Sequence, residues 1–516
     1  MILETTQQVP ITPTSAVDST ISCEDHKSGS NDTIKEFNPS FRLVLAFASL
    51  SVISLAAALD ATSLSVALSV MAAELNGTTV EAFWSGTSFL VTSTVFQPFY
   101  VSLSDIFGRK QLILVALLHF TSGSLIAALA KNFSTILVGR SFQGVGAGGI
   151  ISLTEVIITD MVPLRDCGKW FGYISGMWAI GSVSGPIVGG AFTQKASWRW
   201  IFWMNLPVIG VGYFMITLFL KLHPASSLPL MRKFRQVDWL GALLFSASLT
   251  SVLIPISWGG VMYPWSHALT LVPLILGLGG LIAFTVYELH VAREPMVRFS
   301  IFKNWTLRLV YLQTTIHGVI LWSLLYYVPL YLEAVKNLSP IMTGVAMFPE
   351  TFTVAPASIL VGIMISRTGK YMWALWTGWI FTVLGMGLLH FQDLHTPTPG
   401  WVFLNLVPGI GTGVLFAGID IAIPAAADTI DMGYAVAFLT FFRTFGQSIG
   451  VAVGGCIFQN ALQKEMQAYP ILAPFAAKFS QDAMGLVQMI KLMDGGLAKT
   501  QLIQAYADSI KTLWLP

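Results

Sequence analysis

Charge is what this chain has least of. Only 10% of its 516 residues are Asp, Glu, Lys or Arg, where a soluble domain carries roughly a quarter. With 54% of residues hydrophobic, a soluble fold would have nothing from which to build a solvated surface, so that class is excluded. Cysteine is scarcer still. Cys23, Cys167 and Cys456 are too few and too scattered for a disulfide framework or a thiolate cluster, and no metal site is expected. No charged stretch followed by a short apolar run opens the chain, so no cleaved signal peptide is expected. Residues 367–370 read RTGK but lack the G-x-x-x-x-G-K-[ST] frame that cradles nucleotide phosphates. Energy is therefore expected from an ion gradient, with no bound cofactor. No nucleophile constellation is present either, and the chain is not expected to be an enzyme.

What it has instead is long apolar runs. About thirteen are near the 20 residues needed to cross a bilayer: 42–70, 83–102, 111–130, 134–160, 170–193, 200–220, 238–258, 267–288, 306–332, 341–365, 371–391, 400–427 and 433–459. The fold class is an all-α polytopic membrane protein, because backbone in lipid has to satisfy its own hydrogen bonds. Counting from an inside start, the inner loops carry Arg109, Lys110, Arg165, Lys169, Lys221, Arg232, Lys233, Arg235, Arg293, Arg298, Lys303, Arg308, Arg367 and Lys370. The outer loops carry only Lys131, Lys195, Arg199 and Lys336. Cations favour the cytoplasmic side, which places the amino terminus in the cytoplasm.

Four regions follow. Residues 1–41 are polar and read as a disordered cytoplasmic tail. Residues 42–221 hold six spans, 222–305 form a linker with two extra spans, and 306–516 hold a second set. Six plus two plus six would make fourteen, so the last span is expected to be missing. An amphipathic outer segment at about 461–510 and a closing KTLWLP, too short to cross, take its place. Asn76-Gly-Thr and Asn132-Phe-Ser in outer loops match the N-glycosylation acceptor.

The polar turn at 103–110, LSDIFGRK, organises the first half. Gly108 permits a tight reversal, and Arg109 and Lys110 hold the turn at a membrane face. Residues 362–370, GIMISRTGK, echo it after another apolar span, aligning Gly369 with Gly108. A repeat in two halves is a transporter trait. The turn resembles the loop signature of the major facilitator superfamily, G-x-L-a-D-r-x-G-r-k. Asp105, Gly108, Arg109 and Lys110 match, while Ser102 replaces the first Gly. The resemblance implies a major facilitator fold of two six-helix halves, and a cytoplasmic gating loop made by those four residues.

Charges within spans are costly and are candidates for function. Asp60 lies roughly 15 Å from the outer face and Arg140 about 9 Å, counting 1.5 Å per residue, so the two can pair. Alternatively Asp60 caps a kink and Arg140 reaches outward to the interface. Glu155 and Asp160 lie further along the span of Arg140. Asp420 and Arg443, about 10 and 15 Å from the cytoplasmic face, form a second candidate pair, and Glu350 is a lone acid. GVGAGG, within residues 139–149, spells a dinucleotide fingerprint, but no strand or βαβ unit surrounds it. Its glycines suit close helix contact.

LDATSLSVAL around Asp60 resembles the L-D-x-T-V-x-N-V-A-L-P motif of the fourteen-span drug:proton antiporters. GRSFQGVGAGG resembles their R-x-x-q-G-x-g-x-g motif, on Arg140, Gln143, Gly144, Gly146 and Gly148. GMWAIGSVSGPIVGGAF matches the antiporter motif G-x-x-x-G-P-x-x-G-G through Gly181, Gly185, Pro186, Gly189 and Gly190. The resemblance implies proton coupling at Asp60 and Arg140, with export of a small amphipathic organic compound, and Glu155, Asp420 and Arg443 are further proton-coupling candidates as charges within spans. The expected partners are that solute and membrane lipid, with no nucleic acid, and a monomer in the cell membrane rather than the vacuole. Proton-coupled uptake by the same fold, or an inactive truncated protein, are the alternatives.

Overall fold

Ser40 starts the first helix by accepting the Leu43 amide, which satisfies one of the donors left open at a helix end. The computed structural model describes residues 39–222, 229–260, 262–293, 295–428 and 431–514, without the side chains of 164–168 and 230. The expected tail lies outside the described residues up to position 38, as do Cys23 and the side chains of Arg165 and Cys167. Among the described residues every regular element is helical.

The first half is built from α1 (Phe41–Ser63), α2 (Leu68–Glu74), α3 (Thr79–Phe107), α4 (Arg109–Ala128), α5 (Phe133–Met161), α6 (Leu164–Lys195), α7 (Trp200–Trp203) and α8 (Asn205–Phe219). Just beyond Asp60 the regular α-helix gives way to a tighter turn at Leu64–Val66. The cause is local: the Thr62, Ser63 and Ser65 hydroxyls donate back to the carbonyls of Ala58, Leu59 and Thr62, and such bonds compete with the helical ladder. Gly108 ends α3 at φ 106°, a conformation costly for any side chain.

An insert of α9 (Leu230–Gln236), α10 (Trp239–Trp258) and α11 (Ala268–His290) follows. The second half comprises α12 (Trp305–Ala334), α13 (Pro340–Ala346), α14 (Phe348–Thr368), α15 (Met372–Leu389), α16 (Thr398–Ala426) and α17 (Met432–Gln467). Pairings repeat between the halves: α3 and α4 flank α5 as α14 and α15 flank α16, and α1 packs on α6 as α12 packs on α17. Gly369 ends α14 at φ 67°, the counterpart of Gly108. Among the described residues eleven stretches are long and apolar enough to cross a membrane. The other two of the thirteen expected positions hold α3 and α6, which run 29 and 32 residues.

Two faces follow. The basic face carries the 103–110 turn, and the far face carries the α2–α3 and α12–α13 connections. On the far face α18 (Ala476–Gln481), α19 (Ala483–Leu492) and α20 (Leu497–Leu513) form a cap. α19 packs on α2, and α20 packs on α17 and α12. Ser69 of α2 donates to Glu333 of α12 at 2.6 Å, and Lys491 of α19 lies 3.8 Å from the same oxygen. The halves meet along α3 and α17, and again where α6 meets α13.

Candidate functional site

Close helix packing sets the position of the first charged pair. α5 lies against α3 and α4 because it offers glycines where their backbones arrive. A Cβ on Gly144 would sit 2.3 Å from the Phe89 carbonyl oxygen, and one on Gly148 would sit 2.5 Å from that of Ser93. On the α4 side, a Cβ on Gly146 would meet the Phe120 nitrogen at 2.4 Å. Any larger residue would push α5 outward and carry Arg140 away from α1.

The far half of the first bundle then closes around Asp60. Arg140 donates through Nη1 to Asp60 Oδ2 at 2.5 Å, and both side chains are 0% exposed. Asp60 Oδ1 accepts from Gln143 Nε2 at 3.0 Å and from Asn205 Nδ2 at 2.6 Å. Arg140 is held in turn by the Ser85 carbonyl at 2.9 Å and by Gln143 Oε1 at 2.8 Å. Its guanidinium lies 4.3 Å over the Phe89 ring, a cation–π contact strengthened by the absence of water. Gln143 also donates to Ser124 at 2.8 Å. Arg140 does not reach outward. Its Nη2 alone has no hydrogen-bond partner among the described residues.

Asn205 was not among the residues expected here. The only sequence signal was one amide within the apolar run WRWIFWMNLP, and nothing in its spacing pointed to Asp60, which lies 145 positions away. Tyr326 of the second half is close enough to interact with both Asp60 and Arg140.

Asp420 and Arg443 also pair, at 2.5 Å, with side chains 18% and 13% exposed. This second cluster joins the two halves. Ser175 of α6 donates to Asp420 Oδ2 at 3.3 Å, and Glu155 of α5 lies within electrostatic reach of Asp420 and Arg443. Arg443 stacks 4.1 Å over the Phe416 ring, and His317, fully buried, packs its ring 6.0 Å from the same Phe416. Ser175 and His317 escaped sequence reasoning because a single Ser or His on an apolar helix carries no periodic signal. Glu350, the lone acid, is 1% exposed on α14.

At the basic face, Arg109 pairs with Asp105 and, at 3.1 Å, with Asp160. The Tyr434 hydroxyl, from α17 of the second half, donates to Asp105. Lys110 donates to the Thr217 carbonyl of α8 at 2.7 Å. The turn thus links α3, α4, α5, α8 and α17. The echo at 362–370 is not wired this way: Arg367 and Lys370 form no ion pair among the described residues.

The antiporter-type glycines line a close seam between α6 and α1. Cβ atoms built on Gly181, Gly185 and Gly189 would meet Ala58, Thr62 and Ser63 of α1 at 2.4, 1.9 and 2.1 Å. The Thr62 hydroxyl donates to the Gly181 carbonyl at 3.1 Å. Gly190 and Pro186 face the other way, toward Pro340 and Gly344 of α13, so α6 contacts both halves. Of the glycosylation candidates, Asn76 is exposed in the α2–α3 turn at φ 50°. Asn132 is exposed too, but its side-chain oxygen caps α5 by accepting the Thr135 amide at 2.8 Å.

Comparison with known proteins adds an independent line. Residues 50–451 match the Major Facilitator Superfamily. The chain is 53% identical to MFS transporter L2 of Phoma sp., over 95% of this chain and 82% of that one. It is 35% identical to efflux pump FUS6 of Gibberella fujikuroi, over 92% and 86%. It is 33% identical to MFS-type efflux pump MMF1 of Mycosarcoma maydis, over 98% and 81%. Among solved structures, a bacterial homolog of the human lysosomal transporter Spinster, inward-facing and occupied, aligns with a TM-score of 0.57 at 16% identity. That alignment covers 92% of this chain and 94% of that one, a likeness of fold.

Proposed function

The chain belongs to the Major Facilitator Superfamily, a family of transporters rather than enzymes, and from that premise we propose that it exports a small amphipathic organic compound in exchange for protons. Membrane transport of small organic compounds is what its fungal efflux-pump relatives support. The finer reading concerns direction, coupling and solute: a secondary metabolite, toxin or drug leaves the cytoplasm by alternating access. The amino terminus is cytoplasmic, the membrane is the cell membrane, and the working unit is a monomer.

The observation that carries this reading is the Asp60–Arg140 pair, fully buried with three donors converging on one carboxylate. A buried pair is a poor source of stability, since desolvation offsets most of the attraction. It is a good switch. A proton arriving on Asp60 from outside removes the charge that holds Arg140 and frees Gln143 and Asn205 to repack. That rearrangement biases α1 against α5, and through α6 the contact with α13. Release of the proton inside resets the pair while the solute leaves.

Asp420, Arg443 and Glu155 form the second coupling site, deeper toward the basic face and between the halves. Two acids share one Arg there, so the cluster has a carboxyl on which a proton can be carried. Asp105, Arg109 and Lys110 form the cytoplasmic latch rather than a solute site.

The test is retention of a panel of fluorescent and toxic organic solutes in yeast stripped of its own pumps. The expected result is lower retention that a protonophore reverses. Lower retention untouched by the protonophore would overturn proton coupling, and raised accumulation would overturn export.

A further inference from the structure

This reading leaves the insert without a task. It lies across the long seam between the halves. Toward α3, Trp258 and Trp239 pack on Trp84 and Phe99 with ring centroids 6.3 and 6.2 Å apart, and Phe234 of α9 packs 5.1 Å from Phe107. Toward α17, Phe245 packs 5.9 Å from Phe441, and the Cys456 thiol lies 3.5 Å from the Ser257 carbonyl. One helix pair therefore touches both bodies that must move relative to one another when the basic face opens.

The way out of the insert is more specific. Glu288, near the end of α11 and 5% exposed, accepts the amides of Met296 and Val297 at 3.2 and 3.3 Å. This clamps the chain just before Arg298. The Arg298 guanidinium then lies 4.3 Å over the Tyr434 ring and 3.6 Å from Asp431, while Ser300 donates to Asp431 at 2.5 Å. Tyr434 is the residue whose hydroxyl bonds Asp105 of the basic turn. Beneath that bond Val101, Val156 and Ala437 form a small buried cluster with Tyr434 against it, which seals the two halves together.

We propose that the two-span insert is a clamp on the basic-face gate, and that Arg298 is its positioning residue, holding Tyr434 in place to bond Asp105. The insert then sets how often that face opens, and so the exchange rate, without touching solute or proton. This role rests on alternating access as read above. Its test measures gate exposure alone, so a failure of proton-driven export would not be mistaken for a failure of the clamp.

The experiment is maleimide labelling of an Ala437→Cys variant of the full chain, with reagent added at the basic face of sealed inverted vesicles and the adduct at position 437 counted by mass spectrometry. Ala437 is 3% exposed, so labelling waits for opening. Adding Arg298→Ala should raise the rate about 5- to 30-fold, the effect of losing one or two kcal/mol of closed-state preference. Arg298→Lys, which keeps a cation near Asp431, should fall between. Arg308→Ala, whose guanidinium stacks on Trp305 away from the gate, should change nothing. Should Arg298→Ala fail to fold, Tyr434→Phe removes only the hydroxyl and should raise the rate as well. Unchanged labelling in the folded Arg298 or Tyr434 variants, or an equal rise with Arg308→Ala, would overturn the proposal.

Discussion

Replacing Asp60 by Asn alters the charge of the first pair with almost no change of shape. In the native arrangement Asp60 accepts from Arg140, Gln143 and Asn205 at 2.5, 3.0 and 2.6 Å. An Asn offers one acceptor oxygen and one donor group, so at least one of those contacts becomes donor against donor. Arg140 stays 0% exposed, with Nη2 already lacking a hydrogen bond among the described residues, and loses its counter-charge. Stranding a buried charge in this way costs about 3–5 kcal/mol, against the roughly 5–15 kcal/mol that holds a domain together. The variant should fold with a reduced margin, seen as a lower thermal midpoint of the purified protein. Its solute export should no longer respond to an imposed pH gradient.

Adding Arg140→Gln removes the stranded charge. The double variant should therefore be more stable than the two single losses predict, by about 0.5–3 kcal/mol, the range for groups in one network. It should still not couple to protons. Two outcomes would refute the reasoning. One is an Asp60→Asn protein that exports with the parent's pH profile. The other is a pair of single losses that simply add, since additivity means that the two groups do not feel one another.

Glycine substitutions should separate seam from open surface. Gly189→Ala, whose Cβ would sit 2.1 Å from the Ser63 carbonyl oxygen, should cost about 1–3 kcal/mol by overpacking, whereas Gly176→Ala on the same helix meets nothing within 4 Å among the described residues and should gain up to about 1 kcal/mol of helix propensity; thermal melts of the two proteins compare them directly. On the far face burial opposes ionisation of Asp393, but the Leu394 amide, Gln504 and Lys511 outweigh it and hold the carboxyl below its usual range. Such a depressed carboxyl contributes stability above its unfolded value of about 3.9, and that contribution fades as pH falls through the folded value. Asp393→Asn should therefore cost under about 1 kcal/mol at neutral pH, as partly exposed pairs do, and the gap to the parent should close in acid. A gap that widens on acidification would count against the assignment.

How much of the candidate site was legible depended on whether a residue broke the local pattern. Asp60, Arg140, Asp420 and Arg443 stood out because a charge in an apolar run is rare, and counting helix rise brought each pair to similar depths. The structure joins both pairs. Gly108 and Gly369 were legible for a similar reason, since each follows an apolar span at a polar turn, and both adopt positive φ. Asn205, Ser175, His317 and Tyr434 were not legible. Each is a single polar group of modest cost on a helix, and its role depends on which other helix lies opposite. Asp160 was legible only as an acid further along the span of Arg140; exposed at the end of α5, it pairs with Arg109 because that end comes to the same face as the turn.

The sequence by itself determined the membrane class and the helical fold, and it showed the repeated polar turn. These follow from apolar run length, sparse charge and a repeated turn, which act locally or through the bilayer and need no knowledge of neighbours. The tertiary structure decided which helices meet: that Asn205 completes the Asp60 network, that Tyr434 reaches across to Asp105, and that the insert straddles α3 and α17. Helix contact in lipid is selected by small residues and close fit rather than by hydrophobicity. A glycine pattern can announce that a helix will be approached. It does not say by which one.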